Sequence, residues 1–261
     1  MQGLGDNEKE TLLTRYHQTF TIPSLSYGTV RDYCDSCDHL TLLSSAQNDL
    51  KDLQRPWTIK AALGLLSPGA TLLEIGAGQP LVAATLAELG YNVTVIDPYD
   101  GSGGGPTNFE EYVRSYPKLR IIRDQFRIVL PQLVGQTFDG IYSVSVLEHI
   151  PEPSLGELFQ AISHHLRGNG WSFHSVDCVI EGAQALYHCQ QCQRIAGYQN
   201  KLARISARQQ LDELIQQAHA DLETCYLSAA GHNLWRGRLS YDEFPFRKVI
   251  SVQFAAQSPA S

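Results

Sequence analysis

From residue 70 onward the chain alternates between short apolar runs and amphipathic stretches. "TLLEI" leads into helix-like "PLVAATLAELG", and apolar "YNVTVID" follows. "TNFEEYVRSY" reads as a helix, "KLRIIRD" and "FDGIYSVSV" as strands, residues 154–167 as a long helix, and "GWSFHSVDCVI" as a fifth strand. A strand buried on both sides needs no polar alternation, so this rhythm predicts an α/β fold with a doubly wound, parallel sheet covered on both faces. Gly90 and the Gly168-Asn169-Gly170 stretch stand where the first and last of these helices should stop.

The flanks break the rhythm. Residues 1–55 are polar and mixed, with a helix-like "EKETLLTRYHQTF" and no sheet pattern, and read as an N-terminal helical cap or arm. "RPWTIKAALGLL" opens the main domain, residues 56–261, as a short amphipathic helix. Residues 181–205 read as a lid-like insertion after the fifth strand, and "SARQQLDELIQQAHA" returns as a helix. "DLETCYLSA" and "FRKVISVQFAA" are the expected last strands, joined by an aromatic loop at 231–246.

Composition narrows the partners. Of 261 residues 43% are hydrophobic and 18% charged, which suits a folded domain, and the net charge is −7. With no dense Lys/Arg run, a nucleic-acid backbone is a poor electrostatic match. No apolar run approaches the ~18 residues that span a bilayer, and the polar start lacks a signal-peptide pattern. The expected setting is therefore cytoplasmic, with no membrane or nucleic-acid partner, and there the six cysteines should be thiols or metal ligands.

The turn after "TLLEI" carries the chemistry. Gly76 and Gly78 fit a strand-to-helix bend where the backbone meets a ligand without a Cβ in the way. A dinucleotide fingerprint would place a third glycine at Leu81, and Glu74 beside a diphosphate would be electrostatically unhelpful. A carboxylate there suits a ligand carrying positive charge. Asp97 ends the second strand, where both its oxygens can take ribose hydroxyls, in a nicotinamide nucleotide as well as in other nucleosides.

Glu74-Ile75-Gly76-Ala77-Gly78 resembles the first motif of class I S-adenosylmethionine (SAM) dependent methyltransferases. Asp97 in "VTVIDPYD", Asp124 closing "LRIIRD", and "FDGIYSVSVLEHIPEP" match that family's next motifs in order, over roughly residues 57–180. The resemblance implies a Rossmann-like, mostly parallel, seven-stranded sheet and SAM as cofactor. It places Glu74, Gly76, Ala77, Gly78 and Gln79 at the ligand, with Asp97, Pro98 and Tyr99 at the ribose. Asp124, Gln125 and Phe126 fall near the adenine, and Ser143 and Val144 at the end of the fourth strand.

Methyl transfer needs a positioned acceptor and a route for its proton. Glu148 and His149 stand at the carboxyl end of the fourth strand, where ligands bind in doubly wound sheets, and are the candidate catalytic residues. His149 reads more readily as a packing histidine than as a base, and His174 as a satisfied sheet histidine. Ser145-x-x-Glu148-His149 is similar to ubiquinone-biosynthesis O-methyltransferases, which carry Glu-x-x-Glu-His with acids implicated in metal binding. Ser145 removes one such acid here. Separately, Cys34-x-x-Cys37 and Cys189-x-x-Cys192 have the spacing of zinc knuckles, and together would close a four-thiolate structural zinc site. The alternative is plain reduced thiols, as expected for Cys178 and Cys225. Trp235, Tyr241 and Phe244 could close an acceptor pocket, with Arg236 and Arg238 pairing an anion.

The expected function is methyl transfer to oxygen or nitrogen of a small metabolite. The rivals are a non-catalytic SAM-fold binding protein and another enzyme on this fold, an aminopropyl transferase or a nicotinamide oxidoreductase. Oligomeric state and acceptor identity are not encoded in these patterns.

Overall fold

A computed structural model describes residues 4–44, 49–204, 208–221, 224–228 and 248–260. Its centre is a seven-stranded sheet in the order β1-β7-β6-β5-β2-β3-β4. The strands are β1 (Leu25–Tyr27), β2 (Thr71–Ile75), β3 (Asn92–Asp97), β4 (Arg120–Arg123), β5 (Phe138–Val144), β6 (Leu166–Glu181) and β7 (Lys248–Gln257). Strands β2 to β6 pair in parallel, while β7 runs antiparallel to both β6 and β1. The fold is thus the mostly parallel, doubly wound sheet that the alternating pattern predicts.

Residue parity along the strands sorts the core into two layers, because successive side chains face opposite sides. Leu73, Ile96, Ile141, Val176 and Val252 pack with α7 (Ser154–His165), α8 (Ala185–Ala203) and α9 (Arg208–Ala220). Leu72, Val95, Tyr142, Phe173 and Ala255 pack with α1 (Asp6–Tyr16), α3 (Thr41–Ser44), α4 (Lys51–Leu65) and α5 (Leu81–Glu88). Between α1 and α3 runs α2 (Val30–His39), which packs on α4, and α6 (Phe109–Ser115) lies beside β4. Gly90, at φ +94°, follows the end of α5 as its stop.

Several expectations need correction. Residues 1–55 do contain a strand: β1 caps the open edge of β7 with three residues, too few to show a period. Helix α4 starts at Lys51, one turn before the amphipathic pattern. Most of the expected insertion is α8, a helix packed on β6 and β7 that buries His188, Gln191, Cys192, Ile195, Ala196 and Gln199. Polar residues at half of those inward positions hide its periodicity. Among the described residues of "DLETCYLSA", Cys225 makes an isolated antiparallel bridge to Thr29, and Tyr226 N donates to Gly28 O at 3.0 Å. The aromatic loop with Trp235, Arg236, Arg238, Tyr241 and Phe244 lies outside the described residues. No helix among them is long and apolar enough to cross a membrane.

Candidate functional site

Parallel strands bring the sequence motifs to one edge. Ile75 pairs with Ile96 and Asp97 with Arg123, so the turn after β2, the end of β3 and the start of the loop after β4 lie side by side. Ser143 and Val144 end β5 on the other side of β2.

The turn needs its glycines. Gly76 and Gly78 sit at φ +65° and +56°, a region costly for any residue with a Cβ. A Cβ on Gly76 would also meet the Val146 methyls at 2.9 and 3.0 Å. The backbone N–H of Gly78 donates to Asp97 Oδ2 at 2.9 Å, and that of Tyr99 donates to Oδ1 at 2.8 Å. Asp97 therefore locks the turn while each of its oxygens keeps a second acceptor site.

Glu74 behaves differently. Its buried carboxyl accepts from Ala83 N (3.1 Å) and the Tyr142 hydroxyl (3.2 Å), tying β2 to the first turn of α5. Burial pushes its pKa up to about 8, so it is largely protonated at neutral pH. It supports the turn from beneath, inside the core layer.

The other cofactor candidates divide. Ala77 and Val144 pack partly buried on the α4–α5 layer, and Gln79 is exposed, with its amide donating to the Tyr116 hydroxyl at 3.2 Å. Pro98 is half-buried; the Tyr99 ring is buried beside Phe109 and Tyr112, and its hydroxyl has no partner. Asp124 accepts from Gln125 N and Arg127 at 2.8 Å each, a local turn with one oxygen left over. Gln125 is exposed, whereas Phe126 is a core side chain against His165. The Ser143 hydroxyl is fully buried and bonded to His174 Nδ1 at 2.8 Å, with Ser172 on the other ring nitrogen. Burial takes His174 down to about 3, so it is a neutral structural residue.

Sequence reasoning missed Arg55. It projects from α4 into the field of Asp52 and Glu74, and its Nη1 is buried without a hydrogen-bond partner. Only its place beside the turn, invisible in sequence, marks it.

Next to this edge, a short 3-10 turn (Leu147–His149) presents the two candidate catalytic groups. Glu148 is buried; its Oε1 accepts from Asp177 N at 2.8 Å and its Oε2 has no partner. Burial, and then the nearby Asp177 charge, raise its pKa to about 8. The His149 side chain is 61% exposed, 3.9 Å from Glu148, and partial desolvation lowers its pKa. At neutral pH the imidazole is therefore the free base of the pair, and Glu148 largely carries its proton.

The zinc expectation fails on placement. Cys34 and Cys37 lie on α2, in the layer of α4, whereas Cys189 and Cys192 lie on α8, across the sheet. Cys192 is buried in the core, and the Cys189 thiol points to Val179 O at 3.7 Å. Among the described residues no group of three or more His, Cys, Asp or Glu is arranged to hold a metal.

Residues 50–223 match the family model described as "Methyltransferase domain". Two ubiquinone biosynthesis O-methyltransferases are similar over short stretches. The one from Methylocella silvestris is 36% identical over 84 residues, 31% of this chain and 30% of its own length. The one from Paramagnetospirillum magneticum is 30% identical over 88 residues, covering 33% and 32%. The match thus spans about a third of these relatives' length. A TehB-like SAM-dependent methyltransferase from Corynebacterium glutamicum superposes with a TM-score of 0.43 and 16% identity, covering 87% of this chain and 99% of that one. With the family model spanning two thirds of the residues, the chain belongs to the methyltransferase-domain family, the class I SAM-dependent methyltransferases.

Proposed function

We propose that the chain binds SAM across the turn between β2 and α5 and directs its methyl group to an oxygen or nitrogen of a small metabolite, in a cytoplasmic setting. The observation that carries this reading is the pairing of Gly78 N–H with Asp97 at 2.9 Å. A left-handed turn that a Cβ would fill is clamped there by a carboxylate with spare acceptor capacity, which suits a nucleoside's vicinal hydroxyls. The unpartnered Arg55 Nη1, on a side chain within the field of Glu74, suits a ligand carboxylate.

Bound SAM supplies an already activated methyl group, so the protein's own task is placement and proton removal. His149, neutral and exposed at the edge of β5, is placed to take the acceptor's proton, while Glu148 is held by Asp177 N and orients the turn that carries it. The likeness to ubiquinone-biosynthesis O-methyltransferases makes a hydroxyl acceptor one natural choice.

Incubation with methyl-labelled SAM and a small-molecule extract tests the reading. We expect label in an acceptor, and a rate that falls as pH drops and His149 protonates. Saturable SAM binding with no transfer to any fraction would favour a binding protein. Tight NAD(H) binding without SAM binding in calorimetry would favour the oxidoreductase, and a preference for the decarboxylated donor the aminopropyl transferase.

A further inference from the structure

On the face of the sheet covered by α4, strands β6 and β7 carry a run of polar residues where apolar ones would be expected. Ser175 pairs with Gln253 across the strands and Asp177 with Ser251, so all four side chains share that face. Ser175, Ser251 and Gln253 are 0–2% exposed. From above, Gln54 of α4 reaches down, and its Nε2 donates to Asp177 Oδ1 at 2.8 Å. At the strand end, Glu148 accepts from Asp177 N.

Five atoms of this seam are buried without a hydrogen-bond partner: Gln54 Oε1, Glu148 Oε2, Ser175 Oγ, Ser251 Oγ and Gln253 Nε2. A buried polar atom left unpaired costs about 1–3 kcal/mol, so five together are an expensive arrangement for a purely structural core. Gln253 Oε1 is satisfied by the Ser26 hydroxyl at 2.7 Å, which aims the donor end of its amide into the seam. Gln54 is held the opposite way, its acceptor end free. Among the described residues two carboxyl groups adjoin the seam, while Lys60 of α4 is engaged by Asp35 at 2.7 Å, Arg55 lies in the field of Asp52 and Glu74, and Lys51 acts on His149 outside the seam's mouth. Half-buried Asp177 marks where the seam reaches solvent, beside exposed His149.

We propose that this seam is the acceptor subsite, and that it takes a small uncharged or cationic molecule bearing hydroxyl and amino groups, in preference to a carboxylate or phosphate. The two seryl hydroxyls, the Gln253 amide and the protonated Glu148 carboxyl meet its hydroxyls, and Gln54 Oε1 with the Asp177 carboxylate meets its N–H or O–H donors. The inference rests on the methyl-transfer reading and names its substrate class. In the transfer, the acceptor's nitrogen or oxygen lone pair forms the new bond to the methyl carbon. The sulfonium sulfur keeps the electron pair of the bond that breaks, and the displaced proton passes to His149 or to water.

The test uses the full chain, methyl-labelled SAM and a small-molecule extract split by ion exchange into cationic, neutral and anionic fractions. We expect label from the cationic or neutral fraction, at least tenfold lower transfer in Gln253→Leu and in Ser251→Ala, and a SAM dissociation constant within twofold of wild type. Removing the orphaned Ser251 hydroxyl should also raise the thermal midpoint of Ser251→Ala in the absence of acceptor by a few degrees. Transfer confined to the anionic fraction, or variants with unchanged transfer, would overturn the subsite. So would a lowered midpoint in Ser251→Ala, which would mean that water or protein satisfies its hydroxyl. No transfer from any fraction would instead remove the methyl-transfer reading itself.

Discussion

Replacing Gly76 by alanine tests the geometry of the ligand turn. Gly76 stands at φ +65°, where a residue with a Cβ pays about 1–2 kcal/mol. Its new methyl would lie 2.9 and 3.0 Å from the two Val146 methyls, a contact that must be relieved by moving either the turn or Val146, at about 1–3 kcal/mol. Together these give about 3 kcal/mol. For a chain of this size that corresponds to a fall of roughly 6–12 °C in melting temperature, at about 2–4 °C per kcal/mol. Urea unfolding of wild type, Gly76→Ala, Val146→Ala and the double variant separates the parts. Shortening Val146 removes the overlap and leaves the backbone strain, so the double variant should be about 1–2 kcal/mol more stable than the sum of the single effects requires. Strict additivity would mean that Val146 does not oppose a Cβ at Gly76, and the turn described here would be wrong.

The pH response of stability should expose Glu74. Its carboxyl is raised to about 8, so between about pH 4.3 and 8 the folded chain holds a proton that the unfolded chain has released, and stability falls as pH rises. Glu74→Gln should remove a slope of up to about 1.4 kcal/mol per pH unit from that window, leaving the parallel contribution of Glu148; an unchanged slope between pH 5.5 and 8 in urea titrations would contradict its burial. Lys60, whose side chain is 2% exposed, joins α4 to Asp35 and Ser36 of α2 at 2.7 and 2.9 Å. Lys60→Met should cost about 1–3 kcal/mol by removing the Asp35 partner that comes from α4, while Arg15 at 2.6 Å and the Tyr16 hydroxyl at 2.7 Å still hold the carboxylate. Unchanged stability of Lys60→Met in urea unfolding would show that this ion pair does not anchor the cap.

Where each element was legible in sequence follows from what dictates it. Gly76, Gly78 and Asp97 announce themselves because a left-handed turn and a strand-end acid leave few residue choices. The central strands are equally plain, being buried on both faces. Glu74 matches the motif, yet its partners Ala83 and Tyr142 come from elsewhere in the chain, and only the fold shows that it braces α5. Helix α8 was obscured because His188, Gln191 and Gln199 face inward, where the burial rule expects apolar residues. The cysteine pairs mislead for a related reason: i, i+3 spacing puts both thiols of a pair on one helix face, but says nothing of which layer the helix joins. The seam beneath α4 depends on cross-strand partners Ser175–Gln253 and Asp177–Ser251, dozens of residues apart.

The most direct measurement is calorimetric titration of SAM into wild type and Asp97→Asn. Neutralising that side chain removes charge-assisted hydrogen bonds worth about 1.5–3 kcal/mol each, so we expect affinity at least tenfold weaker with the fold intact by circular dichroism. Undiminished affinity would contradict the placement of the nucleoside at this edge of the sheet.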